Sequence, residues 1–198
     1  MDYPETSNRL WVLLRIILII PILVVAATVI GTFATGEPEL DQGLYWIGAG
    51  GILVFGPLLM ILFRKKYPKW WFDWNLALSR FIARIEAFFL LLRDEYPSTD
   101  EEQSVHLTIE YPNVETDLNR FLPLIKWLLA IPHYILLIVL GIMALIVTIV
   151  AWFLILILGR YPQGTFNFVV GVLRWEFRVS AYAFLLTTDR YPPFGFKE

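Results

Sequence analysis

The sequence predicts an all-α integral membrane protein: two tandem helical hairpins, each followed by an amphipathic interfacial helix, with a short β-like segment in the connector between them. Three observations carry this. Of 198 residues, 58% are hydrophobic and 17% charged, against about 45–50% and about 25% in soluble domains. The apolar residues are gathered into long runs. The chain also matches itself. Asn8-Arg9, Arg15 and Pro21 recur at one offset as Asn119-Arg120, Lys126 and Pro132. At a shorter offset, Tyr67-Pro68, Arg80, Arg84, Ala87 and Leu91-Leu92 recur as Tyr161-Pro162, Arg174, Arg178, Ala181 and Leu185-Leu186. Each copy closes on an acid and a Tyr-Pro, Asp94 to Pro97 and Asp189 to Pro192. Such a unit is too long for a solenoid repeat and looks like a duplicated membrane module. The chain divides into a first membrane repeat at 1–97, an acidic connector at 98–118 and a second membrane repeat at 119–198.

In the first copy, Leu10 to Ala34 is apolar apart from Arg15 and a few small polar residues, long enough for a core of about 30 Å. It lacks a clear small-residue cleavage pattern and reads as a retained anchor. Pro21 predicts a kink that membrane helices tolerate. Residues 35–43 form an acidic loop, and Leu44 to Phe63 a glycine-rich second span followed at once by Arg64-Lys65-Lys66 and Lys69. Lys and Arg collect on the cytoplasmic side, so this hairpin would have both ends inside. In the second copy, Phe121 to Gly159 carries one full charge, Lys126, and no polar loop. Two spans turning near Gly141 to Thr148 would keep Arg160, Arg174, Arg178 and Arg190 cytoplasmic. A shallow hairpin that does not fully cross, or one span after an interfacial segment at 119–131, are the alternatives.

After each Tyr-Pro comes a proline-free segment, about Trp71 to Arg93 and about Thr165 to Thr188. Arg80 and Arg84 stand four apart, as do Arg174 and Arg178, so each pair shares one helix face. A narrow cationic stripe on a broad apolar helix suits the bilayer interface. The connector differs. Asp94 to Asp117 holds eight acids and no Lys or Arg. Within it, Val105, Leu107, Ile109 and Tyr111 alternate with His106, Thr108 and Glu110, the pattern of a half-buried strand.

The run RYPQGTFNFVVGVLRWEFRVSAYAFLLTTDRYPPF (Arg160 to Phe194), preceded by NRFLPLIKWLLAIPHYILL (Asn119 to Leu137), resembles a family of bacterial membrane proteins classed only as a domain of unknown function. The likeness covers the second copy. The first, with a tail reading LSRFIARIEAFFLLLRDEYP, resembles a diverged version. The resemblance implies membrane class and architecture, and no activity.

Guanidinium forks match phosphate geometry, so Arg80, Arg84, Arg174 and Arg178, with Trp175, are the candidate lipid-headgroup residues; internal pairing of the arginines with acids such as Glu86, Glu176, Asp94 or Asp189 is the structural alternative. Arg15 and Lys126 lie close enough to the start of their runs to reach the interface, and Lys65, Lys66, Trp70 and Trp71 complete the expected interfacial anchors. His106 and His133, the two histidines, read as structural hydrogen-bonders. There is no cysteine, no HExxH, no GxSxG, no P-loop and no GxGxxG, so no catalytic, metal or cofactor residues are assigned and nucleic acid is not an expected partner. The expectation is a non-enzymatic protein of the bacterial cytoplasmic membrane, both termini cytoplasmic, that binds anionic lipid and organises or shapes the bilayer. An accessory subunit of a larger membrane complex and, less well supported, a small oligomeric transporter are the alternatives, with a protein partner or a second copy as possible company.

Overall fold

The computed structural model describes residues 1, 3–4, 6–30 and 55–196. Among them are seven helices and no strand: α1 (Arg9–Ile30), α2 (Phe55–Arg64, whose last turn Met60–Arg64 is a π-turn), α3 (Lys69–Phe89), α4 (Val114–Asp117), α5 (Pro123–Leu129), α6 (Ile131–Leu158) and α7 (Gln163–Ala183). By length and composition α1 and α6 could each cross a membrane. The acidic 35–43 loop and residues 44–54 of the expected second span lie outside the described residues.

The helices pack as two antiparallel pairs. α1 packs on α3, where Ile19, Ile22 and Ala26 meet Phe81, Ile85 and Phe88 in one apolar cluster. α6 packs on α7, with Ala130 near the start of α6 joined to Trp175, Val179, Tyr182 and Ala183 of α7. The pairs join where α1 begins and α6 ends. Arg9 donates to the Ile157 carbonyl (3.0 Å), the Ser7 amide to that of Gly159 (3.0 Å), and the Trp152 indole to that of Val12 (3.1 Å). Val12, Ala83, Ala87, Ala151, Val169 and Leu173 share the central core.

Local sequence sets the boundaries. α3 and α7 both start directly after a Tyr-Pro whose proline is the extended N-cap (Pro68, φ −61°; Pro162, φ −63°). Proline presets this φ and supplies no amide that the first turn would leave unbonded. Just upstream, Lys65 (φ 49°) and Gly159 (φ 72°) turn the chain through the left-handed region. Just downstream, Leu91 (φ 63°) and Leu186 (φ 58°) do the same, each packed in the core. These leucines show that the two tails are out of step by one residue. Leu91 occupies the place of Leu186, not of Leu185 as the sequence match suggests.

Two expectations are corrected. Residues 131–158 do not turn back near Gly141 to Thr148; they form one continuous 28-residue helix. Between Pro132 in its first turn and the left-handed Gly159 at its end there is no strong breaker. A helical glycine costs only about 1 kcal/mol, and Thr148 returns its hydroxyl to the Ala144 carbonyl (2.8 Å). The β-like segment at 105–111 is also not a strand. Val105 is buried, Leu107 and Ile109 are half-buried and His106, Thr108 and Glu110 are exposed, as expected, but Tyr111, expected on the covered side, is exposed. Yet the Leu107 carbonyl is taken by the Arg80 guanidinium (Nε, 2.9 Å) and not by a neighbouring strand.

Candidate functional site

The functional side chains gather in three places: the two ends of the helix pairs and the cleft between them. At one end Arg15, 2% exposed, forms an ion pair with Asp94 and donates to the Phe88 carbonyl (2.8 Å). Its guanidinium lies 4.4 Å from the Phe88 ring, which meets Tyr96 edge-on at 5.7 Å. Asp94 also accepts the Asn8 amide (2.7 Å), and the Asn8 side chain caps Leu10 (3.0 Å). At the other end Lys126, fully buried, pairs with Asp189 (2.7 Å) and donates to the Thr188 carbonyl (2.7 Å). It sits 5.2 Å from the Tyr182 ring, which meets Tyr191 edge-on at 5.7 Å. Asp189 accepts the Asn119 amide (2.5 Å), and the Asn119 side chain caps Phe121 (2.9 Å). Arg15 and Lys126 are therefore not anchors reaching out to headgroups. A carboxylate within hydrogen-bonding distance offers each cation an internal partner, and both side chains turn inward to take it.

The Tyr-Pro corners form a second matched set. The Tyr161 carbonyl accepts the Tyr3 hydroxyl, and the Phe166 ring stands edge-on to Tyr3 (5.2 Å) and Tyr161 (5.8 Å). The Tyr67 carbonyl accepts the Tyr111 hydroxyl, and Phe72 stands edge-on to Tyr111 (5.2 Å) and Tyr67 (6.0 Å). Burial pushes Tyr67 up to about 12, which keeps it a hydroxyl donor to the Leu185 carbonyl (2.9 Å). The sequence reading missed Tyr3 and Tyr111. Their signal is that six of the nine tyrosines precede proline.

Between the ends, the connector runs back along α3. Arg84 donates to the Ser98 carbonyl (2.7 Å) and Arg80 to that of Leu107. A cleft of about 860 Å³ opens between this strap and α7, with Arg174, Phe177, Arg178 and Asp189 among its lining. Of the predicted headgroup set, Arg80, Arg84 and Arg178, which bonds the Gly195 carbonyl, hold main chain; Arg174 is exposed on the cleft wall. Trp175 is buried, its indole donating to His133 Nδ1 (3.0 Å). An indole N–H only donates, so Nδ1 accepts and this imidazole is neutral. His133 stacks on Phe194 at 4.1 Å and pins the tail. Lys65 donates to the Glu115 carbonyl (3.0 Å); Lys66 and Trp70 are exposed, and Trp71 packs beside Trp70 and against Gly56.

Two carboxyls are perturbed, Glu86 and Glu176, each raised by burial. Burial, then the facing charge of Glu176, pushes Glu86 up to about 8, and Glu86 Oε2 has no hydrogen-bond partner among the described residues. No group of three or more His, Asp or Glu that could hold a metal occurs among the described residues.

Residues 123–196 contain a match to the domain of unknown function DUF4389. That agrees with the class the C-terminal motif suggests and attaches no chemistry to it. No curated protein and no solved structure matches the chain.

Proposed function

We propose that this chain is a membrane protein without catalysis of its own that binds anionic lipid and organises the bilayer of a bacterial cytoplasmic membrane, with two copies of one module as its scaffold. One observation carries the reading. The outward surfaces of α1 and α6 are almost wholly apolar, from Leu10, Ile16 and Leu23 to Ile138, Ile146 and Phe153, and exposed cations stand at their ends: Arg9 and Arg160 at one, Lys66, Arg120 and Arg190 at the other. An apolar surface this long needs cover, and cations beside it match phosphate. The two buried ion pairs, the two Tyr-Pro corners and their paired aromatic rings support reading the chain as a duplication, because the ion pair, the asparagine cap and the ring beside the cation in one copy have counterparts in the other.

The test is flotation of the purified protein with vesicles of neutral lipid and of neutral lipid with a third phosphatidylglycerol. Preferential binding to the anionic vesicles, weakened when Arg9, Arg160, Arg120 and Arg190 are replaced by Gln, is the expected outcome. Equal binding by the parent chain to both vesicles would refute selectivity for anionic lipid. Arg174→Ala tests the exposed member of the predicted headgroup set and should reduce co-purifying anionic lipid while leaving stability unchanged.

A further inference from the structure

We infer that α1 and α6 do not cross the membrane but lie along one leaflet, so that the whole chain enters the bilayer from one side. This deepens the membrane reading above and rests on it. The path of the connector carries the argument. Asp94 is bonded to Arg15 near the start of α1, and from there the connector follows α3 back over its whole length: Ser98 at Arg84, Leu107 at Arg80, Tyr111 at Tyr67 and Phe72. α3 is about 31 Å long at 1.5 Å per residue, the thickness of a bilayer core. It lies against α1 as far as Ala26. If α1 stood upright, the connector would have to pass from one face of the membrane to the other alongside it. Its exposed residues include Glu101, Glu102, His106 and Glu110, and its extended backbone forms no strand ladder among the described residues. Lipid-exposed irregular backbone is not found in the hydrocarbon core, and each acid there would add a further cost of kcal/mol size.

The charges at the helix ends give a second, independent argument. Arg9 and Arg160 lie where α1 begins and α6 ends; Lys66, Arg120 and Arg190 lie at the opposite end, beside the Tyr67 corner and Asp189. Cations of short segments collect on the cytoplasmic side. An upright pair would put one of these groups outside; helices lying flat put both on the same side. α6 is also long for an upright span, at about 42 Å for its 28 residues. Lying flat, it meets no such limit. The arrangement stratifies the molecule. The apolar faces of α1 and α6 enter the acyl region, α3 and α7 lie at headgroup level, and the acidic connector lies farthest from the anionic surface.

The absence of cysteine allows a direct test, since each variant then carries a single thiol. Gln163→Cys marks one end, Thr116→Cys the other and Thr108→Cys the middle of the connector, all exposed positions. The full chain is expressed in a bacterial host and treated with a membrane-impermeant maleimide before and after permeabilisation. The inference expects all three thiols to behave alike, labelled only after permeabilisation, with the chain remaining in the carbonate-washed membrane fraction. Labelling of Gln163→Cys and Thr116→Cys from opposite sides overturns it, including the case of upright chains whose connectors line a shared aqueous pore, while leaving membrane binding intact. A chain recovered in the soluble fraction overturns the membrane reading itself.

Discussion

Replacing Arg15 by Met separates an internal strut from a surface anchor. Arg15 has an exposure of 2% against 30% for Asp94. Its loss leaves Asp94, among the described residues, with the Asn8 amide, and the Phe88 carbonyl with the Leu91 amide (3.2 Å). Removing one partner of a buried ion pair costs about 3–5 kcal/mol. Asp94 keeps some access to water, which places the expected loss near the lower figure, about 3 kcal/mol, or about a hundredfold in the folding equilibrium. Asp94→Asn keeps the shape and an acceptor oxygen but leaves the buried guanidinium without a counter-charge, and should cost a similar amount. The double variant should fall short of the sum by about 1–3 kcal/mol, as for residues in contact. The assay is denaturant or thermal unfolding in micelles of a non-ionic detergent, whose headgroups carry no phosphate. An Arg15→Met variant within about 0.5 kcal/mol of the parent, the range of neutral surface changes, would mean that the guanidinium serves the membrane surface and not the fold.

Lys126→Met should destabilise the second copy by a similar amount, and measuring both variants checks that the two ends are equivalent. Glu86 provides a pH signature. Its carboxyl is raised from 4.5 to about 8 in the fold, so the folded state holds the proton more tightly. Stability is then fully present below about pH 4.5 and is lost as pH rises toward 8; Glu86→Gln should flatten that part of an unfolding-against-pH curve. Tyr3→Phe and Tyr111→Phe each remove one hydroxyl-to-carbonyl bond at a Tyr-Pro corner and should each cost about 1 kcal/mol in the same unfolding assay. At Gly171 an added Cβ would stand 2.9 Å from the Phe196 side chain. Gly171→Leu should therefore release the C-terminal tail, seen as faster proteolysis after Phe194, at an overpacking cost of about 1–3 kcal/mol.

The parts of the fold legible in the sequence were those that depend on local pattern. The Tyr-Pro punctuation places the starts of α3 and α7, and the spacing of Arg80 with Arg84 and of Arg174 with Arg178 places each pair on one face. The alternation at 105–111 predicts the covered side from Val105 to Ile109 but not at Tyr111, which is exposed. What it could not supply was the partner. A half-buried extended segment looks the same whether its carbonyls meet a strand or an arginine. Arg15 looks the same whether it reaches a phosphate or Asp94, which lies 79 residues away in the chain. The turn expected near Gly141 came from a charge rule that assumes the helix crosses.

That same charge rule now leads elsewhere. Arg160, Arg174, Arg178 and Arg190 argued for a hairpin because one crossing would carry them to the wrong side. The helix is continuous, so the cations stay on one side only if the helix does not cross. The two ends of the molecule are also chemically alike: a buried cation on a carboxylate, an asparagine cap, a Tyr-Pro corner and exposed basic residues. A protein whose ends face cytoplasm and exterior meets two different environments, and its ends have reason to differ. A protein lying flat presents both ends to one headgroup layer, where a duplicated module can keep the same contacts at each. It also adds area to one leaflet and not the other. On that arrangement the duplication and the proposed shaping of the bilayer would share one cause, and the three-position thiol labelling tests the arrangement itself.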